Sequence, residues 1–254
     1  MTEPALYYTI LFSFMALACV TFIVLFFFPA PYGRYAVKAR GPSVNNRLAW
    51  FVQEIPAFLM MIVYCMVSDR PLTAATAVFL VLWEAHYLHR TFIYPFTLRG
   101  GKPVPLLTMG LAVLFYLVNT YVQGRWIFTL APADMYTNAW LADPRCIIGT
   151  TLFIAGFVIN RHSDYILRTL RKPGETGYRI PYGGLYRYVS CPNYLGEIII
   201  WLGWALATWS LAGAYFIVWT CANLIPRAVS HHAWYRATFP DYPRVRKALI
   251  PFIF

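Results

Sequence analysis

Between Pro4 and Gly33 the chain carries no charged side chain, and its apolar heart, LFSFMALACVTFIVLFFF, is long enough to cross a bilayer. A cleaved signal peptide would open on basic residues, have a shorter apolar core and end on small residues. Here Glu3 precedes the run and Phe26, Phe27 and Phe28 close it, so it is expected to be a retained span. Further apolar runs near 50–67, 73–96, 105–123, 145–168, 195–210 and 212–235 are separated by Pro, Gly and charge. With 59% hydrophobic and 12% charged residues and a mean hydropathy of +0.53, the chain has the composition of a protein dissolved in lipid. The expectation is one all-α, polytopic membrane domain over residues 1–254 with seven transmembrane helices.

An odd number of spans puts the termini on opposite sides. Arg34, Lys38, Arg40, Arg47, Arg99, Lys102, Arg171, Lys172, Arg179, Arg187, Arg236, Arg244, Arg246 and Lys247 fall in the loops after runs one, three and five and in the tail. The opposite loops hold Arg70, Arg125 and Arg145. The positive-inside rule therefore places the N-terminus outside and the C-terminus in the cytosol. The net charge of +11 reads as this topology plus attraction to anionic lipid headgroups, not as a nucleic-acid surface. The implied location is an integral, multi-pass one: the inner membrane in a bacterium, the endoplasmic reticulum in a eukaryote.

Topology does not account for Arg90, Asp164, Arg168, Glu197 and Arg227, which lie within or at the ends of apolar runs, where unpaired charge is costly and marks a site. The cysteines (Cys19, Cys65, Cys146, Cys191 and Cys221) show no CxxC spacing and read as small core residues. Retinal chemistry would need a lysine buried mid-helix, and all four lysines lie in loops. His86 and His89, the pair His231-His232 and the lone His162 are too few for a di-iron set, so no metal is expected. Neither GxGxxG after a strand nor GxxxxGK[ST] is present, so a nucleotide would have to bind the helical bundle itself.

Two segments carry suitable parts. In the stretch 160–198, Arg168, Arg171 and Lys172 can meet phosphates, while Asn160 and Asp164, one turn apart, can hold ribose or adenine polar atoms. An ordinary basic loop explains the same residues equally well. In WFVQEIPAF, Gln53 and Glu54 precede Pro56, whose expected place is the first turn of a helix, leaving both side chains at a helix entrance. In WEAHYLHRTFIYPF, Trp83, Tyr87, Arg90 and Tyr94 share one helical face, with Glu84 and His86 on others. A buried carboxyl kept neutral and a tyrosine hydroxyl can form an oxyanion hole for a ketone becoming an enolate, as in ketosteroid isomerase, an unrelated fold. A polar pair that merely locks two helices together is the simpler alternative on spacing alone.

The segments WFVQEIPAF, HYLHRTFIYPF, RGGKP, NRHSDYILRTLRKPGETGYRIPYGGL, NYLGEI, ALATWS, HHAWY and YPRVRKALIPFIF, in this order, resemble the steroid 5α-reductase family (3-oxo-5α-steroid 4-dehydrogenases) along nearly the whole chain. The resemblance implies a seven-helix membrane enzyme that uses NADPH to reduce the C4–C5 double bond of 3-oxo-Δ4 steroids of the testosterone and progesterone class, hydride going to C5 and a proton to C4. It implies that Glu54 and Tyr87 hold the 3-ketone, with Gln53 beside them. It assigns Asn160, Asp164, Arg171, Asn193, Glu197, His231 and Tyr235 to the cofactor, with Arg90, Tyr94, Arg99 and Lys102 where the cofactor enters. Trp201 lines the same cavity, and Arg168, Arg179 and Arg227 are counted with this set. The expected partners are an enone lipid and the bilayer, and the expected state is a monomer.

Ile200 and Glu84 depart from the vertebrate pattern, which has a second acid and an uncharged residue there, and the first span has no clear match. Two other functions fit parts of the chain. An S-adenosylmethionine-dependent methyltransferase of the isoprenylcysteine carboxyl methyltransferase type would not need Gln53, Glu54 and Tyr87. A non-catalytic sterol-binding protein would not need Asn160, Asp164 and Arg171.

Overall fold

Each apolar run forms a helix. The computed structural model describes residues 2–29, 35, 42–98, 102–170 and 177–254. The helices are α1 (Glu3–Phe27), α2 (Asn46–Met66), α3 (Ala74–Leu88), α4 (Tyr94–Thr97), α5 (Leu106–Arg125), α6 (Pro144–Thr169), α7 (Pro192–Thr208) and α8 (Leu211–Thr238). A π-turn over His89–Ile93 joins α3 to α4, and another over Trp126–Leu130 prolongs α5. The short strands β1 (Ser43–Val44) and β2 (Val104–Pro105) pair antiparallel. Four helical stretches, Glu3–Phe27, Asn46–Met66, Leu106–Leu130 and Pro144–Thr169, are long and apolar enough to cross a membrane.

Local sequence explains the ends. Asn45 caps α2 by accepting from Arg47 N at 2.9 Å, and Thr73 and Thr76 close a reciprocal capping box on α3. Asp143 accepts from the Arg145 side chain and backbone N–H, contacts that pull its carboxyl down to about 2. The break between α7 and α8 is a tight one: Trp209 adopts a left-handed conformation (φ 44°) and Ser210 caps α8 through Gly213 N at 2.9 Å.

Two sequence expectations are corrected. Pro56 lies inside α2, not at its first turn, because the Asn45 cap starts the helix ten residues earlier than the proline suggested. The backbone carbonyl one turn before Pro56 thus loses its usual N–H partner in mid-helix. Cys19 is exposed, not core, since α1 buries only the stripe Tyr7, Leu11 and Ala18 against its neighbours.

The closest helix pair is α6 with α7. Gly149 and Gly156 on α6 face Gly203 and Gly196 on α7, so backbone meets backbone along this seam. A Cβ added at Gly156 would stand 2.6 Å from Ile200 N, and one at Gly196 would stand 2.5 Å from Asn160 N. The polar residues next to these glycines, Asn160 on α6 and Asn193 and Glu197 on α7, are thereby pressed together. An aromatic core of Trp83, Trp201, Trp204, Phe153 and Phe216 fills the bundle beside them, with Trp201 and Phe216 ring centroids 4.1 Å apart.

Candidate active site

Glu54 projects from the middle of α2 and is wholly buried. Its Oε1 accepts from an Arg90 guanidinium nitrogen at 2.6 Å, while Oε2 is buried without a hydrogen-bond partner. The π-turn that ends α3 carries Arg90, whose guanidinium lies over Trp50 at 5.0 Å and over Tyr94 at 5.4 Å. Such a turn accommodates Pro95, which has no N–H to continue a regular α-helix. Tyr87 is buried one turn earlier, its ring 5.9 Å from Tyr116, 5.0 Å from His86 and 6.1 Å from Trp201. Tyr116, from α5, stands close enough to interact with the Glu54 carboxyl. The sequence reading missed it: on α5 it is one tyrosine in an apolar run. Gln53, next to Glu54 on α2, is half-buried.

A second cluster sits across the α6–α7 seam. Asn160 Nδ2 donates to Asn193 O at 2.9 Å and to Glu197 Oε2 at 3.0 Å. Asn193 Nδ2 donates to Asp164 Oδ1 at 3.3 Å. Glu197 Oε1 accepts from Trp201 Nε1 at 3.1 Å and lies 3.4 Å from His86 Nε2. Arg161 completes the cluster, 3.5 Å from Asp164 Oδ2 and hydrogen-bonded to Asn160 Oδ1 and His89. Neither His86 nor Arg161 was singled out from the sequence as a site residue. His86 had been set on another face of α3 from Tyr87, yet it is buried at 1% exposure, because α6 and α7 cover that face as well.

Toward the C-terminal end, Arg227 Nε donates to Tyr194 OH at 3.0 Å and its guanidinium lies 5.8 Å above the Tyr35 ring. His231 packs its ring edgewise on Tyr35 and Tyr194, and Tyr235 stacks on Tyr242 at 5.2 Å. Tyr186, in the 3-10 turn Gly184–Arg187, is buried with its hydroxyl unpartnered; burial first, then the charge of Asp164, push that hydroxyl well above the usual phenol value. Arg168 is half-buried over Tyr165, and Lys102 and Arg179 are exposed. Arg99 and Arg171 lie outside the described residues.

The expected ketone residues Glu54 and Tyr87 thus gather in one cluster together with Arg90, which was expected at the cofactor's entry and instead pairs with Glu54; Asn160, Asp164, Asn193, Glu197 and Trp201 form another, with His86 between them. Chemically, the first offers an anchored carboxyl and the Tyr87 hydroxyl to a carbonyl oxygen. The second offers oxygen acceptors and amide donors to a hydroxyl-rich ligand.

A family model described as 3-oxo-5-alpha-steroid 4-dehydrogenase matches residues 102–254. The chain is 43% identical over 242 residues to 3-oxo-5-alpha-steroid 4-dehydrogenase 1 of Bos taurus, covering 94% of this chain and 93% of that protein. It is 46% identical over 226 residues to the type 1 protein of Homo sapiens (88% and 86%). A plant relative, the steroid 5-alpha-reductase of Arabidopsis thaliana, is 41% identical over 241 residues (92% and 91%).

Proposed function

The chain belongs to the 3-oxo-5-alpha-steroid 4-dehydrogenase family, and from that premise we propose that it is an NADPH-dependent reductase of the C4–C5 double bond of 3-oxo-Δ4 steroids, giving 5α-dihydro products. As a member of an oxidoreductase family it is neither a methyltransferase nor a passive sterol receptor. The observation that carries the proposal is the buried Glu54–Arg90 pair with Tyr87, set one side chain, His86, away from the Asn160–Glu197 network.

The residues suit a reduced nicotinamide dinucleotide phosphate. Asp164, Glu197 and Asn160 offer partners for ribose hydroxyls, and Arg168, Arg179, Arg227 and Lys102, with Arg99 and Arg171, offer cations for phosphates. We assign His231, Tyr235, Tyr94 and Asn193 to the same cofactor. The buried Tyr186 hydroxyl and His86 Nδ1 lack partners, as polar atoms meant for a ligand do. NADPH, when bound, supplies the hydride for C5.

This chain's own contribution is electrostatic. Attack at the β carbon of an enone drives negative charge onto the ketone oxygen, and donors fixed there lower the barrier. Tyr87 donates its O–H to that oxygen. Arg90 anchors Glu54 through Oε1, which leaves Oε2 to carry a proton toward the ketone. Trp83, Trp201 and Phe216 exclude water from the reacting face.

The seven helical rods cross the membrane with the N-terminus outside and the C-terminus cytosolic, the chain acts as a monomer, and its bilayer delivers the steroid. The test is direct: purified protein in detergent, given testosterone or progesterone, is expected to form the 5α-dihydro product with NADPH far faster than with NADH at equal subsaturating concentrations. Equal turnover with both cofactors would remove the phosphate assignment, and no 5α product would remove the reaction.

A further inference from the structure

His86 is a buried histidine at 1% exposure with only one of its two ring nitrogens engaged. Nε2 lies 3.4 Å from Glu197 Oε1, and Nδ1 is buried without a hydrogen-bond partner. Glu197 already accepts from Trp201 Nε1 on Oε1 and from Asn160 Nδ2 on Oε2, so it meets the imidazole as an acceptor also. The hydrogen of a neutral ring then belongs on Nε2, and Nδ1 presents a bare lone pair. Leaving a buried acceptor unpaired is costly, roughly the desolvation of that group, and such atoms in a folded protein have a reason.

The surroundings limit what that lone pair can receive. The imidazole is walled by the rings of Tyr87, Trp201, Phe153 and Phe157, and it bridges the ketone cluster and the Asn160–Glu197 network. The reacting end of a 3-oxo-Δ4 steroid carries an acceptor oxygen and C–H groups, so it has nothing to donate. A nicotinamide ring does: its carboxamide N–H₂ sits on the carbon next to the one that gives up hydride.

Resting on the cofactor reading above, we propose that His86 Nδ1 accepts a hydrogen bond from the nicotinamide carboxamide, making His86 a positioning residue that turns the hydride-bearing carbon toward the substrate. Glu197 fixes the tautomer and the tilt of the ring through Nε2, with Trp201 and Asn160 holding Glu197 in turn.

The experiment compares two oxidised cofactors by equilibrium binding to the detergent-purified chain: NADP⁺, and its 3-acetylpyridine analogue, in which a methyl ketone replaces the carboxamide and no N–H remains. Wild type is expected to bind NADP⁺ roughly tenfold more tightly than the analogue, the size of one buried neutral hydrogen bond. His86→Phe is expected to bind both within about twofold of each other, and His86→Asn, whose Oδ1 can stand near the Nδ1 position, to keep most of the preference. The same tenfold preference in His86→Phe would overturn the proposal, because the discrimination would then come from elsewhere. A wild-type chain that binds both equally overturns it without any variant, while leaving the cofactor reading intact. If NADP⁺ does not bind wild type at all, the cofactor reading falls and this inference with it.

Discussion

At the scale of single residues, the two oxygens of Glu54 have different fates, and this decides how its role can be tested. Oε1 is held by Arg90 at 2.6 Å and Oε2 has no partner. Glu54→Gln can keep both functions at once: the amide oxygen accepts from Arg90 and the amide nitrogen donates to a ketone. Glu54→Leu keeps neither and strands the Arg90 charge. Losing one donor to a developing oxyanion typically costs about 10²–10³ in turnover, so Tyr87→Phe and Glu54→Leu are each expected to lose reduction of testosterone by about that factor while NADP⁺ still binds. Glu54→Gln should retain more activity than Leu, measured as kcat at saturating cofactor. If Gln is as inactive as Leu with cofactor binding intact, Glu54 acts by transferring a proton, not by donating a hydrogen bond as a neutral group. Tyr116→Phe separates the two phenols: Tyr116 faces the same carboxyl from α5, and its loss is expected to cost less than that of Tyr87, because it acts on Glu54 and not on the ketone.

At the scale of elements, the site depends on how close α6 and α7 lie. Gly156→Leu would drive a branched side chain into Ile200 N, where a Cβ alone already stands 2.6 Å away. Backbone cannot step aside as a side chain can, so the helices must separate, and overpacking of this kind costs about 1–3 kcal/mol or more. The expected outcome is a lower unfolding temperature in detergent and weaker NADP⁺ binding together, since Asn160 and Glu197 lose their register; a variant that keeps wild-type affinity would show the seam to be dispensable. This element was only half legible in the sequence. Hydropathy marks each helix, because lipid demands an unbroken apolar run and an internally bonded backbone. It does not mark which helices touch, and four glycines scattered over α6 and α7 look unremarkable until they face each other. The same limit hid His86 and Arg161, whose partners come from other helices, and it misplaced Pro56, because a proline signals a helix start only when no cap lies upstream. As site residues Glu54, Tyr87, Arg90, Asn160 and Glu197 rest on segment resemblance; spacing alone favours a structural polar pair for Glu54 and Tyr87 and fits an ordinary basic loop equally well for the stretch from Asn160.

At the scale of the whole molecule, the distribution of cations makes an orientation claim that the helices alone do not. The end of the bundle holding the loops after α2, α5 and α7 carries Arg70, Arg125 and Arg145, two of which are spent locally: Arg125 pairs with Glu3 at 2.6 Å and Arg145 with Asp143 at 2.7 Å. The opposite end keeps Arg187, Arg236, Arg244 and Lys247, besides the cations assigned to the cofactor. Loops rich in Lys and Arg resist translocation, and on the proposed reading this end, which would bind the cofactor, faces the cytosol, where reduced dinucleotides are made. The measurement uses two single cysteines in a cysteine-free background: Asp134→Cys, exposed in the loop before α6, and Asp241→Cys, exposed in the tail after α8. In intact cells a membrane-impermeant maleimide is expected to label the first and spare the second; after the inner face is opened, both should react. Labelling of both from outside would overturn the odd number of crossings between these two positions, and with it the seven-span topology. Labelling of Asp241→Cys alone would keep that number and invert the molecule, moving the dinucleotide site to a compartment without its cofactor.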